Sequence, residues 1–528
     1  MKKFLKWLSI IGASLVVLFL IVLLALPFYM PDSSRGWIKL GIDKEEVPEG
    51  INSSVVFENV TVIPMDSDQI LKRQTVVVNN KVIAEIGDHE EIEIPPDAHI
   101  VDGEGKFLIP GLSDMHTHNF GSENDLLVYL ASGVTTIRDL GGGSPVLLDW
   151  RDEIREGNRV GPTIFAWWPL VETSDEDFEW GAERAAAGGK RWIHTPEEAE
   201  QLVAEMADLG VDGIKAHGQP EDVFVALQRA AAEYELPFEG HVPTDLIQTS
   251  TGWKDFRALD VFAVSHVEEL IKLAERVDSE TREVSEEIIT QMADDVAQDG
   301  LWVTSTIFLF RSIVDQAADL EEALNAMPEL KYVNPGVFES MEWGPGKNYY
   351  VGLGGNDWYP NYRISQENML LALNESGAQL IAGTDANSPI IVPGFSMHDE
   401  LETMVDIGLS PYDALRTSTY NPALFLDKQD EYGTLEVGKR ADVILLEENP
   451  LEDIANTQKI AGVMAQGRYF SKGDLDAMLD AVAENNESVE STRSMIKIAF
   501  PIGFVLLLAS TGFVIRRFRK NKISDKIS

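Results

Sequence analysis

The sequence predicts an α/β protein, a (β/α)8 TIM barrel inserted in a small discontinuous β-sandwich domain, with a transmembrane helix at each end. Strand-like and helical segments alternate between residues 111 and 427, which is the pattern of parallel βα units. Short β-like runs lie on both sides of this region, at residues 53–110 and 428–470. An apolar run of bilayer-spanning length lies near each terminus.

The first apolar run extends from Trp7 to Tyr29, after three lysines. It predicts an N-terminal transmembrane anchor over residues 1–30. A cleaved signal peptide is the alternative, but the apolar part is longer than such peptides usually have. No Ala-x-Ala cleavage site follows within reach.

The second apolar run, residues 498–515, predicts a C-terminal transmembrane helix over residues 495–515. An acidic linker at residues 471–494 precedes it and a basic tail at residues 516–528 follows it. These flanks argue against the alternative, a buried core helix. Because basic flanks stay in the cytoplasm, we expect a plasma-membrane protein with both termini cytoplasmic and the barrel extracytoplasmic.

The 528-residue chain contains no cysteine and has a formal net charge of -44. Disulfides and thiolate metal sites are therefore excluded, and any metal must bind His, Asp, Glu or modified Lys. The acidic charge argues against nucleic acid or anionic lipid as a partner. The expected partners are a small-molecule substrate and the membrane, and no oligomeric state is implied.

The β-like runs on the two sides of the barrel predict one composite β domain. On the N-terminal side, Val55–Val62, Thr75–Val78 and Lys81–Ile86 are predicted strands, and Asn79-Asn80 is a turn. Similar runs on the C-terminal side cover residues 432–435, 442–446 and 460–467. The barrel, residues 111–427, is therefore an insertion within this domain.

Eight strands are predicted within the barrel region. The first ends at His118, and the others cover residues 134–139, 163–166, 213–216, 237–241, 262–266, 302–306 and 379–385. Helical segments lie between many of them. One is Pro196 to Leu209, which follows Thr195 as N-cap, with Glu198 three residues on. Such a barrel has its active site at the C-terminal ends of the strands.

Two segments between strands are too long for simple loops. They are Trp167–His194 and Phe308–Tyr362, both rich in aromatic residues. Long irregular segments of this kind are either lids and binding loops or packed surface excursions, and the sequence favours neither.

Ligand-type side chains stand at the ends of the predicted strands. His116 and His118 end the first strand, and alternation directs both imidazoles to one face, about 7 Å apart at their Cα atoms. Two neutral ring nitrogens there can hold a divalent metal, most often zinc. An isolated His-x-His is more often an ordinary pair near a turn. Here, however, ligand-type residues also end four other strands, namely Lys215, His241, His266 and Asp385.

Three motifs accompany these residues: Gly133–Gly142, Asn421-Pro422-Ala423 and Gly433–Asp442. Together with the strand-end residues, they make residues 53–470 resemble the amidohydrolase superfamily of metal-dependent hydrolases. The resemblance is to its imidazolonepropionase-like and prolidase-like branch. The combination is specific to the superfamily and much less so to a substrate. The two membrane anchors are not part of the family's usual pattern.

The resemblance implies a cofactor of one or two divalent metals, expected to be Zn2+. Lys215 matches the family's strand-four lysine, which CO2 commonly carboxylates so that it bridges two metals. A carbamate is an anionic oxygen ligand, whereas an ammonium has no lone pair. The implied ligands are His116, His118 and Asp385 for one metal, and His241 and His266 for the other, with Lys215 shared.

The resemblance also implies a mechanism, in which metal-bound water is acidified to hydroxide and the metals polarise the scissile carbonyl. Asp385 is the implied catalytic residue, taking the proton of that water and passing it to the leaving amine. If Lys215 stays unmodified, one metal held by His116, His118, His241 and Asp385 remains workable, as in related deaminases.

Several nearby residues are possible supporting groups. His398 and Arg138 are candidates for contacts to the substrate or to the ligands, although for Arg138 a structural salt bridge is favoured over a contact to a substrate carboxylate. Glu400 lies close to His398 and is equally suited to capping a helix N-terminus. His217, two residues after Lys215, is not expected to be a ligand.

We therefore expect a membrane-anchored, metal-dependent hydrolase of an amide C–N bond, with dipeptide-like substrates slightly favoured. Cyclic-amide opening and deamination are the alternatives within the same superfamily. A catalytically silent surface-binding protein that keeps the barrel is the alternative outside it. The complete ligand set argues against that last possibility, which bound-metal analysis tests directly.

Overall fold

The computed structural model of the chain describes residues 41–42, 46–119, 122–143, 145–173, 190–247, 249–274, 283–340, 348, 350–351, 359–495 and 497. Two compact units are distinguished, Ile42–Ala483 and the chain ends Met1–Gly41 with Glu484–Ser528. The sheet domain, the barrel and the candidate site all lie in the first unit.

The strands of this unit are β1 Val55–Val62, β2 Leu71–Asn79, β3 Val82–Asp88, β4 His99–Asp102, β5 Phe107–Pro110, β6 Leu112–Thr117, β7 Val134–Asp139, β8 Thr163–Ala166, β9 Leu170–Glu172, β10 Lys190–Trp192, β11 Ile214–His217, β12 Phe238–Gly240, β13 Ala263–Val264, β14 Trp302–Thr304, β15 Gln379–Ile381, β16 Val443–Leu446, β17 Ile460–Ala465 and β18 Arg468–Ser471.

The α-helices are α1 Asn124–Ala131, α2 Val146–Glu156, α3 Pro196–Leu209, α4 Glu221–Glu233, α5 Gly252–Arg257, α6 Val267–Leu273, α7 Glu286–Asp299, α8 Ile307–Ala318, α9 Leu320–Asn325, α10 Pro335–Ser340, α11 Tyr359–Glu375, α12 Phe395–Ile407, α13 Pro411–Ser418 and α14 Tyr420–Phe425. Short 3-10 helices cover Pro328–Tyr332 and Ile454–Gln458.

The composite domain predicted from both sides of the barrel is confirmed as a sheet built from both. Its strand order is β18-β17-β16-β5-β1-β2-β3, with β4 also paired to β1. The described strands of this domain form a single eight-stranded sheet, whereas the sequence predicted a sandwich. The reason is that one edge of β1 pairs with two strands, β4 along Val55–Glu58 and β5 along Thr61–Val62. Asn59, with a φ of 56°, lies between the two pairings.

The predicted barrel is confirmed, and a strand of the structure lies at each of the eight predicted positions. Parallel pairing runs through β6-β7-β8 and through β9-β11-β12-β13-β14-β15, with β10 added beside β9. The third strand is divided at Pro169, which cannot donate a ladder hydrogen bond. The part before it pairs with β7, and the part after it pairs with β11.

The barrel closes where β15 meets β6. The backbone N–H of Met115 donates to the carbonyl of Ala382 at 3.0 Å, and that of Asp385 donates to the carbonyl of His116 at 2.7 Å. Thr117 and Ala386 form a parallel bridge between the same segments. The first and last strands of the barrel therefore present their C-terminal ends side by side.

Helix α3 shows how local sequence sets the barrel helices. The hydroxyl of Thr195 accepts a hydrogen bond from the backbone N–H of Glu198 at 3.2 Å, as the N-cap prediction requires. Gly210 ends the helix with a φ of 71°, a conformation that glycine adopts without strain. One face is buried through Ala199, Leu202, Val203 and Met206, the spacing of an amphipathic helix against a sheet.

The described part of the second long segment is mostly helical. Helices α8, α9 and α10 and the 3-10 helix at Pro328–Tyr332 follow β14 directly. The first long segment contributes β9 and β10, and its residues 174–189 lie outside the described residues. Residues 472–483, which the sequence analysis assigned to a linker, are helical and place Leu475, Met478 and Val482 in the hydrophobic core.

The prediction of a plasma-membrane protein that crosses the bilayer twice is wrong and is corrected here. Among the residues that the structure describes, no helix is both long enough and apolar enough to span a membrane. A span needs about 20 mostly apolar residues, whereas helix α11, at 17 residues, carries charged side chains along its length. The two apolar runs behind the prediction, residues 7–29 and 498–515, lie outside the described residues. The predictions of a membrane partner and of an extracytoplasmic barrel depended on these helices and are wrong for the same reason.

Gly383 allows the close approach between β15 and β6. A Cβ atom at this position would lie 2.5 Å from Cβ of His116 and 2.8 Å from its backbone nitrogen. We expect Gly383→Ala to separate the two segments and to lower the free energy of unfolding by about 1–3 kcal/mol, a typical cost of overpacking. Urea unfolding of the purified protein measures this change.

Gly473→Ala is the matched control. The nearest atom to a Cβ there is the Ser471 hydroxyl, at an ordinary contact distance of 3.7 Å. Its unfolding midpoint should stay close to that of the parent. Equal midpoints for the two variants would contradict the steric argument at Gly383.

Candidate metal centre

Three of the predicted ligands meet at the barrel mouth, where the segment after β15 contacts β6. Nε2 of His116 lies 3.5 Å from Oδ1 of Asp385, and Nε2 of His118 lies 3.1 Å from the same oxygen. One ligand atom from each of the three residues falls within 4.8 Å of the other two. The structure therefore brings together the three residues that the sequence assigned to the first metal.

Asp114 holds this part of the barrel together. Its carboxylate accepts hydrogen bonds from the backbone N–H groups of His116 at 3.2 Å and Thr384 at 3.0 Å, and from the Thr384 hydroxyl at 2.6 Å. Burial raises the pKa of Asp114 to about 7, although the bonds from Thr384 and His116 oppose this shift. Because Asp114 bonds to both segments, it sets the spacing between the His116 and Asp385 side chains.

The loop after β7 orients His118. Nδ1 of His118 donates to the carbonyl of Gly141 at 2.8 Å, which leaves Nε2 for a ligand. Asp139 fixes that loop by accepting from the backbone N–H groups of Gly141 at 2.9 Å and Asn119 at 2.6 Å. The ring of His116 differs, because its Nδ1 is buried and has no hydrogen-bond partner in the described part of the chain.

His241 and His266 stand beside this group, as the sequence predicted. Their ring centroids are 4.9 Å apart, and the His266 ring is 4.4 Å from that of His116. Nδ1 of His241 lies 2.8 Å from Oε1 of Glu269, and Nδ1 of His266 lies 2.7 Å from the Thr306 hydroxyl. Both rings therefore keep Nε2 available, the usual orientation of a metal-binding histidine.

Lys215 rises from β11 into the same space and is almost fully buried. Its Nζ donates to the Ser265 hydroxyl, and that hydroxyl donates to Oε1 of Glu239 at 2.6 Å. Burial lowers the pKa of Lys215 to about 8, with Glu239 opposing this shift and the charge of Arg138 adding to it. The amine is therefore unusually close to its neutral form at physiological pH.

Arg138 belongs to a buried salt bridge. Its guanidinium pairs with Oε2 of Glu239 at 2.5 Å and donates through Nε to the carbonyl of Met115 at 2.7 Å. The rings of Trp167 and Phe425 each lie 4.7 Å from its Cζ atom. This is the structural salt bridge that the sequence analysis favoured for Arg138, and both of its members are fully buried.

The electrostatics of the site favour neutral imidazoles. The pKa values of His116, His241 and His266 lie well below the usual histidine range. Burial is the largest cause of this lowering, and nearby positive charge adds to it. Burial acts to raise the pKa of Asp385, but the hydrogen bond with His118 and nearby positive charge, including that of Lys215, outweigh it and hold that pKa below its usual value. Neutral imidazoles and a carboxylate are the forms that bind a metal.

His398 has structural partners at both ring nitrogens, which does not fit the substrate or ligand contact suggested for it. Its Nδ1 lies 2.9 Å from the Thr457 hydroxyl, and its Nε2 lies 3.0 Å from the carbonyl of Ser132. The ring is buried, and both nitrogens are occupied by these structural partners. Burial lowers its pKa to about 4, so the ring is neutral. His398 therefore ties helix α12 to the rest of the unit and has no free nitrogen for a substrate.

Glu400 is a helix cap, one of the two roles considered for it. It accepts from the backbone N–H groups of Ile307 at 2.9 Å and Phe308 at 2.7 Å, at the start of helix α8. His217 lies at the rim, where its Nδ1 is 3.3 Å from Oε1 of Glu172. Its ring centroid is 4.3 Å from that of His241, so His217 adjoins the ligands.

The donor set fits a divalent metal. The imidazoles of His116, His241 and His266 are neutral, the rings of His118, His241 and His266 have Nδ1 occupied, and Asp385 is a carboxylate. This is the arrangement of nitrogen and oxygen ligands that zinc and related ions bind.

The residues whose hydrogen bonds orient these proposed ligands were not predicted from the sequence. Asp114 and Glu239 each precede a predicted ligand by two positions, so strand alternation placed them on the ligand face. That spacing was a usable signal. Glu269 and Thr306 carried none, because their partners come from a neighbouring strand or an adjoining loop.

Comparison with known proteins agrees with this geometry. The sequence profile of the Amidohydrolase family matches residues 107–469. An imidazolonepropionase of Fusobacterium nucleatum is 23% identical over 72% of this chain and 87% of its own length. A 5-methylthioadenosine/S-adenosylhomocysteine deaminase of Caldanaerobacter subterraneus is 22% identical over 75% of this chain and 85% of its own length.

Solved structures share the fold. A Xaa-Pro dipeptidase with bound methionine has a TM-score of 0.59 and 20% identity, over 79% of this chain and 100% of the other. Bottromycin amidohydrolase has a TM-score of 0.62 and 20% identity, over 83% and 91%. The fold and site define a barrel hydrolase of the metal-dependent type, and the chain belongs to the amidohydrolase family. It is an enzyme of a family whose members act on carbon–nitrogen bonds.

A double-mutant cycle, measured by urea unfolding, tests whether Arg138 has a structural role. We expect Arg138→Met and Glu239→Gln each to lower the free energy of unfolding by about 3–5 kcal/mol, because each leaves a buried charge without its partner. The double variant should lose less than the sum of the two. A substrate-binding arginine would give a different result, with a raised KM for Arg138→Met and little loss of stability.

Proposed function

We propose that the chain hydrolyses an amide C–N bond of a small molecule at the barrel mouth. The observation that carries this proposal is the convergence of His116, His118 and Asp385 within 4.8 Å, beside two more oriented histidines. Such a concentration of neutral nitrogen donors around one carboxylate serves metal-assisted hydrolysis better than any other use of the site.

The residues fit two metal half-sites. In this proposal the first half-site is His116, His118 and Asp385, the second is His241 and His266, and Lys215 is shared by both. A divalent metal held there, zinc in this proposal, would supply Lewis acidity and lower the pKa of the attacking water. The protein's part is to keep the Nε2 atoms aimed inward, which the partners of Nδ1 do for His118, His241 and His266.

Asp385 moves the proton. Its Oδ1 faces the two imidazoles of the first half-site, and its Oδ2 accepts from the Ser388 hydroxyl at 3.2 Å. With its pKa held below the usual value, it is ready to take the proton that the attacking water releases. It then returns that proton to the nitrogen of the leaving amine.

Lys215 carries a carboxylate in this proposal. Its neutral amine attacks CO2, so a bond forms between Nζ and carbon, one C=O π pair moves onto oxygen as the carbamate charge, and one N–H proton leaves to solvent. Arg138 and Glu239 already neutralise each other, so a buried ammonium would lack a counterion of its own. Asp385 alone supplies one negative charge for two dications, and uncompensated buried charge is costly. A carbamate on Lys215 adds the missing charge.

Dipeptide-like amides are the first substrate class to test, since prolidase-type enzymes share this fold. A second candidate is cyclic-amide opening or deamination, which the names of the two curated relatives favour. A panel of dipeptides, acylated amino acids, cyclic amides and aminopurine nucleosides separates the two. Release of a free amino acid supports the first class, whereas ring opening or ammonia release supports the second. No turnover of any amide by metal-loaded protein would contradict the proposal.

Asp385→Asn should keep the fold and lose most of kcat. The amide preserves the shape of the side chain but cannot take the proton, and loss of a general acid–base group costs about 10²–10⁴-fold. Steady-state kinetics at measured metal occupancy give the result. A kcat within a factor of two of the parent, at equal occupancy, would assign the proton transfer to another group.

Lys215→Ala should reduce the metal content from about two ions to at most one per chain, because a ligand shared by both half-sites is removed. Intact-mass and elemental analysis of parent and variant test this directly. A short carboxylic acid, added in bicarbonate-free buffer, should restore part of the activity by filling the vacated space. Two tightly bound metals and full activity in Lys215→Ala would leave Lys215 as a structural lysine.

A further inference from the structure

Glu269 is a buried residue whose carboxylate is hydrogen-bonded to His241 and whose backbone is hydrogen-bonded to His266, the two proposed ligands of the second half-site. It lies on helix α6, three residues after His266, and its side chain is almost fully buried. Its Oε1 accepts from Nδ1 of His241 at 2.8 Å, and its Oε2 accepts from the backbone N–H of Val242 at 2.8 Å. Its own backbone N–H donates to the carbonyl of His266 at 3.2 Å.

From this geometry we infer that Glu269 is the positioning residue of the second half-site, and that the metal held by His241 and His266 depends on it while the first metal does not. The inference rests on the proposed function, because it assumes that the site binds two metals. The first half-site has separate supports in Asp114 and in the carbonyl of Gly141. Glu269 therefore acts on one metal only.

The two oxygens of Glu269 both face donors, and this makes the negative charge necessary. Oε1 accepts from His241 and also from Nζ of Lys272 at 2.7 Å, while Oε2 accepts from Val242. A carboxylate satisfies all three donors. A glutamine in its place would present an NH2 group to one side, where it meets another donor whichever way the amide is turned.

Either orientation of that glutamine has a consequence for His241. With the amide oxygen towards His241, the NH2 group opposes the N–H of Val242 and pushes the loop after β12 away. With the NH2 group towards His241, the imidazole must carry its proton on Nε2 and can no longer bind a metal through it. In both cases the second half-site loses its aimed ligand.

The test is Glu269→Gln in the full chain, loaded with zinc. Metal content is measured by elemental analysis after dialysis against a graded series of chelator concentrations. We expect one zinc per chain to keep its parental affinity and the other to bind about 10–100-fold more weakly, the usual cost of removing such a carboxylate partner. The readout is affinity, so it does not depend on turnover.

Glu268→Gln is the matched control. Glu268 is the preceding residue of the same helix and also pairs with Lys272, at 2.9 Å. Its other partner is the hydroxyl of Tyr362 at 3.1 Å, and it contacts none of the proposed ligands. Both zinc affinities should therefore stay at parental values in this variant.

Glu269→Asp keeps the experiment decisive if Glu269→Gln does not fold. The aspartate retains the charge but is one methylene shorter, so the affinity of the second zinc should fall by less than in Glu269→Gln. Unchanged affinity for both zinc ions in Glu269→Gln or Glu269→Asp would overturn the positioning role and leave the proposed function standing. Parental protein that binds no zinc at all would instead contradict the proposed function itself.

Discussion

The pairing of β15 with β6 is the constraint on which the site depends. Asp114 and Thr384 are separated by 270 residues, yet their hydrogen bonds bring His116 and Asp385 to the same point. The contact needs a residue without a side chain at Gly383, since a Cβ there would meet His116. Barrel closure therefore also assembles the candidate metal site, because the segments that close the barrel carry three of the proposed ligands.

Support for the ligands differs from one to the next. His118 depends on a backbone carbonyl, His241 on a carboxylate and His266 on a hydroxyl. A carboxylate partner makes an imidazole more basic than a carbonyl or hydroxyl does, so the two proposed half-sites would differ in ligand strength as well as in position. The Arg138–Glu239 salt bridge is fully buried. Because its two charges neutralise each other, these polar side chains can occupy a position that is shielded from water.

Much of the fold followed from the sequence, because barrel strands are short apolar runs at regular intervals and ligands end them. The lysine and the four histidines were placed at the barrel mouth by strand position alone. What the sequence could not give was the direction of contacts between elements. A salt bridge was favoured for Arg138, but nothing in the sequence identified Glu239 as its partner, and the apolar termini matched a membrane pattern that the described helices do not support. His398 was likewise judged by its nearness to strand eight, whereas its partners come from distant segments.

The composite sheet has a consequence for how the chain is made. Strand β16 pairs with β5, joining Ile444 to Ile109 across nearly the whole barrel sequence. A ribosome must therefore release the last third of the protein before the sheet domain can form, and until then β6 waits with one edge unpaired. Contacts of such high sequence separation fold slowly and expose sticky edges meanwhile. We therefore expect the nascent chain to expose unpaired strand edges for longer than a protein whose strands pair only with their neighbours in sequence.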